Sequence, residues 1–231
     1  MLRQILSELH KQADPVRAKN LSRFFKTGIG EYGEGDKFLG LTVPIIRSIA
    51  SQYKKAGLKV IGSLLHNEYH EIRLTALIIL TLKFKKANEV EQKEYFNFYL
   101  KNTKYINNWD LVDLTAHKII GNYLINRDRK IIYNLSRSKN LWEKRISIIS
   151  TFAFIRDNEF DDTIKLSKIL LNDKHDLVHK AVGWALREVG KKNQKIEEEF
   201  LIRHYKVMPR TMLRYSIEKF SKTKRNFYLK K

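Results

Sequence analysis

Five segments of this chain repeat one pattern, a charged residue ahead of a small or apolar run: Glu71-Ile-Arg73-Leu-Thr-Ala, Leu111-Val-Asp113-Leu-Thr-Ala, Glu143-Lys-Arg145-Ile-Ser-Ile, Val178-His-Lys180-Ala-Val-Gly and Met212-Leu-Arg214-Tyr-Ser-Ile. The anchors at 73, 113, 145, 180 and 214 stand 40, 32, 35 and 34 residues apart. That period is the length of two helices with their turns. Apolar residues recur at helical spacing along nearly the whole chain, so helix follows helix and no segment reads as a strand. With only 3 Pro and 10 Gly in 231 residues, the many tight turns of a sandwich or barrel are missing.

Neither helix of such a pair can bury its apolar stripe alone. The pairs must stack, and the expected fold is all-α, a curved solenoid of HEAT-like helical pairs whose second helices line a concave basic face. The whole chain, 1–231, reads as a single domain of this kind. Helices are expected at 2–12 and 14–25, with Asp14 as N-cap and Pro15 at the first helical position. Further helices are expected near 43–55, 57–66, 69–86, 89–101, 108–124, 128–137, 140–156, 159–171, 175–191, 194–206 and 209–221. Between them, residues 26–42 hold five of the ten glycines, at 28, 30, 33, 35 and 40, so a glycine-rich loop or lid is expected near 27–42. Thr42-Val-Pro44 then restarts the helical pattern. The tail 222–231 is basic with an aromatic pair, and either frays or docks.

Lys and Arg number 45 against 25 Asp and Glu, a formal net charge of +20. The hydrophobic share of 43% is ample for a core, so this charge sits on a folded protein. It points to a polyanionic partner, because phosphate neutralisation releases counterions, although biased codon usage produces lysine-rich chains too. The absence of cysteine excludes a disulfide scaffold, a thiolate metal site and a cysteine nucleophile, and fits an intracellular protein. The amphipathic, charged N-terminus does not resemble a signal peptide, and no apolar run is long enough for a membrane span. A cytoplasmic monomer is expected, associated with the nucleoid when on DNA and with no membrane partner.

Equivalent positions of successive repeats fall in a row. Arg73, Arg145, Lys180 and Arg214 would therefore form a line of cations roughly 10 Å apart, the packing distance of adjacent helices, able to track a phosphate backbone. The fifth member of the row is an acid, Asp113, which either pairs with a neighbouring cation or marks a site. All three tryptophans flank this row: Trp109 four residues before Asp113, Trp142 three before Arg145, and Trp184 four after Lys180. These spacings put side chains on one helical face. They suit either core packing or an aromatic cleft for flat, cationic groups. Asn107, Asn108 and Asp110 beside Trp109 fit a helix cap. A carboxylate in a basic, aromatic groove can stabilise an oxocarbenium ion at a sugar C1′ or orient a water toward it. One carboxylate suffices when the leaving group is already cationic, as an alkylated base is.

The segments Trp109-Asp-Leu-Val-Asp113, Trp142-Glu-Lys-Arg145-Ile and His179-Lys-Ala-Val-Gly-Trp184-Ala-Leu-Arg187-Glu, in this order, resemble the AlkD-like DNA alkylation repair glycosylases. The resemblance covers nearly the whole chain and is strongest over 105–192. It implies a HEAT-like solenoid that excises N3- and N7-alkylated, positively charged purines from double-stranded DNA within base excision repair, without flipping the base and without cofactor or metal. It further implies Asp113 as catalytic carboxylate, Trp109 and Trp184 as aromatic walls at the deoxyribose, Arg145 as the phosphate-binding arginine, and Arg187 as an added backbone contact. Phe24 falls where members of this family carry a site-lining tyrosine, which leaves the hydroxyl missing or supplied by Tyr32. The acids Glu31, Glu34 and Asp36 of the glycine-rich segment would repel phosphates, so they are expected to point away from the groove or to pair with Lys or Arg.

Two other chemistries find little support. His66/His70 and His175/His179 stand at i,i+4 without the intervening glutamate of a zinc protease motif. The glycines at 28, 30 and 33 lack the strand–turn–helix setting of a dinucleotide fingerprint. The serious alternative is a non-catalytic HEAT-repeat protein that binds branched or damaged DNA, or an adaptor for an acidic protein.

Overall fold

The computed structural model describes residues 1–230, all-α apart from a single parallel bridge between Lys37 and Tyr69. Lys231, the end of the basic tail, lies outside the described residues. The chain divides into two compact units, Met1–Thr115 and Ala116–Lys231. No described helix is long and apolar enough to cross a membrane.

The first unit contains α1 (Leu2–Lys11), α2 (Pro15–Phe24), α3 (Val43–Gln52), α4 (Leu58–Leu65), α5 (His70–Phe84), α6 (Glu89–Lys101) and α7 (from Trp109 to Ala116, at the unit's edge). Helix α2 starts as its sequence dictates: the Asp14 carboxylate accepts from the Arg17 N–H at 2.9 Å, and Pro15 needs no partner for a donor it lacks. Helix α3 starts at the expected place, but its Thr42 hydroxyl makes no cap bond; the start rests instead on Pro44 in the first turn, whose fixed φ suits the helix and which has no N–H to satisfy. Helix α5 is buried on all sides, from His70 through Leu80, and α3 and α4 both pack on it.

The glycine-rich segment wraps the start of α5. Backbone bonds Lys37 N–H to Glu68 O (3.3 Å) and His70 N–H to Lys37 O (2.8 Å) tie it to the α4–α5 turn, and Asp14 N–H to Leu39 O (2.8 Å) ties it to α2. Gly40 makes the last approach possible. Its φ is +86°, and a Cβ there would stand 2.1 Å from the Asp14 carbonyl oxygen.

The second unit opens with a π-helical turn, His117–Gly121, followed by α8 (Asn122–Leu124), α9 (Lys130–Ser136), α10 (Leu141–Ser150), α11 (Phe152–Arg156), α12 (Asp161–Ile169), α13 (Asp176–Lys192), α14 (Gln194–His204), α15 (Arg210–Ser216) and α16 (Lys222–Leu229). Helix α9 pairs with α10 and α12 with α13, while α10 packs on α13 and α13 on α15. The anchors 145, 180 and 214 thus lie on successively packed second helices, as the period requires. The helix expected over 140–156 breaks at Thr151, whose hydroxyl donates to the Ile148 carbonyl at 2.7 Å. The tail docks: Ser221 caps α16, Tyr228 is buried, and Arg210 holds the Leu229 carbonyl at 3.1 Å. With one buried anchor, α16 carries too little periodicity to be read from sequence.

Candidate functional site

Helix α7 is built by its own first residues. Asn108 Oδ1 accepts from the Trp109 N–H and Asp110 Oδ1 from the Leu111 N–H, both at 2.8 Å. Leu111 and Val112 go fully into the core, which leaves Trp109 and Asp113, one turn apart, half-buried on the opposite face. The Trp109 ring stacks on Phe25 at 5.2 Å and 20°, and Phe25 stacks on Phe38 at 5.2 Å and 18°. Phe24, 63% exposed, meets Trp109 edge-on at 5.9 Å. The first unit therefore holds a carboxylate one turn from a tryptophan whose position is fixed by the stacked Phe25 and Phe38 rings and by the edge-on Phe24.

Behind that wall lies a buried charge network that spacing along the chain does not reveal. His70, at the start of α5, stacks on Phe38 at 4.9 Å and stands between two carboxylates, Asp36 Oδ2 at 3.3 Å and Asp110 Oδ2 at 2.8 Å. Arg73 Nη2 donates to Asp36 Oδ1 at 2.8 Å, and its Nη1 to the Asn67 and Glu68 carbonyls at 3.1 Å. Glu71 accepts three backbone N–H groups of the glycine-rich segment, from Leu39 (2.9 Å), Gly40 (2.8 Å) and Leu41 (3.1 Å). The turn into α7, the start of α5 and the glycine-rich segment are thus one polar assembly. Its signal in the sequence was faint: Glu71 and Arg73 look like helix surface, and only folding brings Asp36 to them.

Electrostatics follow from this geometry. Burial opposes the charge on His70, but Asp110, through charge and hydrogen bond, and the bond to Asp36 outweigh burial and the repulsion of Arg73, raising the imidazole to about 9. Both carboxylates are satisfied only by an imidazolium that donates from both ring nitrogens. Burial likewise opposes charge on Asp36, yet the His70 hydrogen bond and the Arg73 charge hold its carboxyl below the usual range. A histidine raised in the folded state stabilises fully below its ordinary value of 6.5 and loses that contribution as pH climbs to about 9. The melting temperature should therefore fall across that window, and His70→Gln should flatten the fall. A pH-independent difference between the two proteins would refute it.

The expected row of exposed cations is corrected at several points. Arg73 is buried and committed to Asp36, because a desolvated guanidinium must be paired; it does not line a DNA face. Arg145 is 5% exposed, with Nη1 donating to the Leu177 carbonyl at 2.5 Å. Lys180 pairs with Asp176 at 2.7 Å. Arg187 pairs with Glu218 and with Glu188. A phosphate would reach these three only by taking over such bonds. Arg214 is exposed on α15. Trp142 is buried, a core residue of the second unit and no cleft wall. Trp184 is half-buried, edge-on to Phe152 at 4.7 Å, its indole N–H donating to Glu188 at 3.0 Å.

The loop acids take two kinds of partner. Asp36 pairs with Arg73 as expected, whereas Glu31 and Glu34 accept the backbone N–H groups of Gly28 and Gly30, each at 2.9 Å. The histidines of the i,i+4 pairs also have local partners. His66 bonds Asn102 at 2.8 Å, His175 caps Leu177 at 3.1 Å, and His179 reaches the Asp173 carbonyl at 2.5 Å.

The chain is thus an all-α protein of packed helices whose sequence anchors recur every 32 to 40 residues, with a half-buried carboxylate one turn from a tryptophan. The family model described as DNA alkylation repair enzyme matches residues 5–220, and the chain belongs to that family. No curated protein matches it. A solved structure described as a predicted DNA alkylation repair enzyme from Enterococcus faecalis is similar at a TM-score of 0.71 and 17% identity, covering 91% of this chain and 98% of that one. At such identity the likeness establishes the fold.

Proposed function

We propose that this protein is a DNA glycosylase that hydrolyses the N-glycosidic bond of cationic alkylated purines, of the N3-methyladenine and N7-methylguanine type, in duplex DNA without base flipping. The observation that carries this reading is the pairing of Asp113 with Trp109 on one face of α7, braced by Phe25 and edged by Phe24. A base alkylated at N7 or N3 carries a formal positive charge and departs neutral, so no acid need protonate it. Positive charge builds at the sugar C1′ as the C1′–N bond breaks. A carboxylate stabilises that charge and orients the water that adds to C1′, while the water proton passes to the carboxylate or solvent. Aromatic faces beside it suit a flat, cationic transition state. Trp184 is assigned the second aromatic contact, and Arg145, Arg187, Lys180 and Arg214 the phosphate contacts, the first three by exchange of their present partners.

Incubation of the protein with duplex DNA carrying N7-methylguanine or N3-methyladenine should release the free base. Binding without release would leave the alternative, a non-catalytic binder of damaged DNA. Arg214→Ala, at an exposed position, should reduce the salt dependence of DNA affinity by roughly one phosphate contact, a change of about 1 in the log–log slope. An unchanged slope would remove Arg214 from the interface.

A further inference from the structure

The glycine-rich segment contains a small closed loop that the site described above does not use. Gly33 N–H donates to the Lys26 carbonyl at 3.0 Å, closing residues 26–33, and Thr27 bonds the Ser22 carbonyl at 3.2 Å through both its N–H and its hydroxyl. Glu31 and Glu34 fold back onto the loop's own N–H groups at Gly28 and Gly30, and a Glu31 N–H to Gly28 O bond of 3.0 Å closes the tip. Gly33 packs so closely that a Cβ would stand 2.4 Å from the Phe25 carbonyl oxygen. At the tip of this braced loop sits Ile29, 97% exposed, with a glycine on each side.

We propose that this loop is a wedge that presses Ile29 into the base stack of duplex DNA beside the α7 site. The inference rests on the proposed reading that the protein engages alkylated duplex DNA. Loop tips ordinarily carry Gly, Asn, Asp or Ser. An isoleucine held in water by a rigid loop gains only when something apolar covers it. The flanking glycines make the tip narrow, and isoleucine is among the side chains that enter between base steps from the minor groove. The surroundings favour DNA over an apolar protein patch. Arg23 and Lys26, both exposed, stand at the foot of the loop where phosphates would run, and the two carboxylates are turned inward onto N–H groups. Phe24, five residues before Ile29, touches Trp109, so the wedge belongs to the same unit as Asp113.

The test uses the full-length protein and a duplex with 2-aminopurine next to N7-methylguanine, read by fluorescence for unstacking and by anisotropy for binding. The wild type should raise the 2-aminopurine signal on binding. Ile29→Ala should abolish most of that rise, keep the parental melting temperature and salt slope, and slow base release by about tenfold, the scale of one lost apolar contact. Ile29→Phe should retain the rise. Equal fluorescence for Ile29→Ala and wild type overturns the wedge, as does wild-type binding with no unstacking, which would turn Ile29 toward a protein partner. Failure of the glycosylase reading is distinguishable, because it leaves the fluorescence rise intact with no free base.

Discussion

Asp113→Asn is expected to bind alkylated duplex DNA with the parental affinity and salt slope while releasing base at least about a hundredfold more slowly, the scale of one lost electrostatic or general-base group. The amide has nearly the shape of the carboxylate and keeps one acceptor oxygen, so α7 and its aromatic backing should remain in place. What disappears is the negative charge that offsets the cation growing at C1′. Single-turnover release of N7-methylguanine, measured beside an anisotropy titration, separates the two effects. Release at the parental rate would show that Asp113 is a surface acid and return the site to the non-catalytic alternative.

Glu71→Ala is expected to lower unfolding stability by about 3–5 kcal/mol, the range for removing one partner of a buried charged assembly. The side chain is 2% exposed and holds the N–H groups of Leu39, Gly40 and Leu41. Without it three donors lose their acceptor at once, at about 1–3 kcal/mol each where water cannot enter. Urea unfolding measures the loss, and limited proteolysis should show cleavage within 27–42 before global unfolding. Glu71→Gln keeps one acceptor oxygen and should cost clearly less, which keeps the test informative if the alanine variant does not fold. A loss below about 1 kcal/mol for Glu71→Ala would mean that the segment is held elsewhere.

Local chemistry was legible wherever it acts within a few residues. Asp14 and Pro15 start α2 at the expected place, the anchors 145, 180 and 214 fall on successively packed helices of the second unit, and Trp109 and Asp113 share a face because four residues make about one turn. Spacing along the chain is silent where a long-range partner decides what a charge does. Arg73 and Arg145 occupy the repeat positions assigned to them, yet both are buried, one against Asp36 and the other against the Leu177 carbonyl. Periodicity gives a side chain's direction along its own helix. It does not say whether water or another element lies there.

The sequence by itself thus determined the all-α fold, the two-helix period, the glycine-rich interruption and the acid–tryptophan pair, because each depends on spacing along one helix or on the backbone freedom of glycine. Only the tertiary structure decided which charges are free to meet a ligand. The desolvation of Asp36, His70, Arg73 and Asp110 forces them to satisfy one another, and their partners lie more than thirty residues apart. The same folding closes the 26–33 loop and leaves Ile29 in water, a contrast that spacing along the chain does not contain.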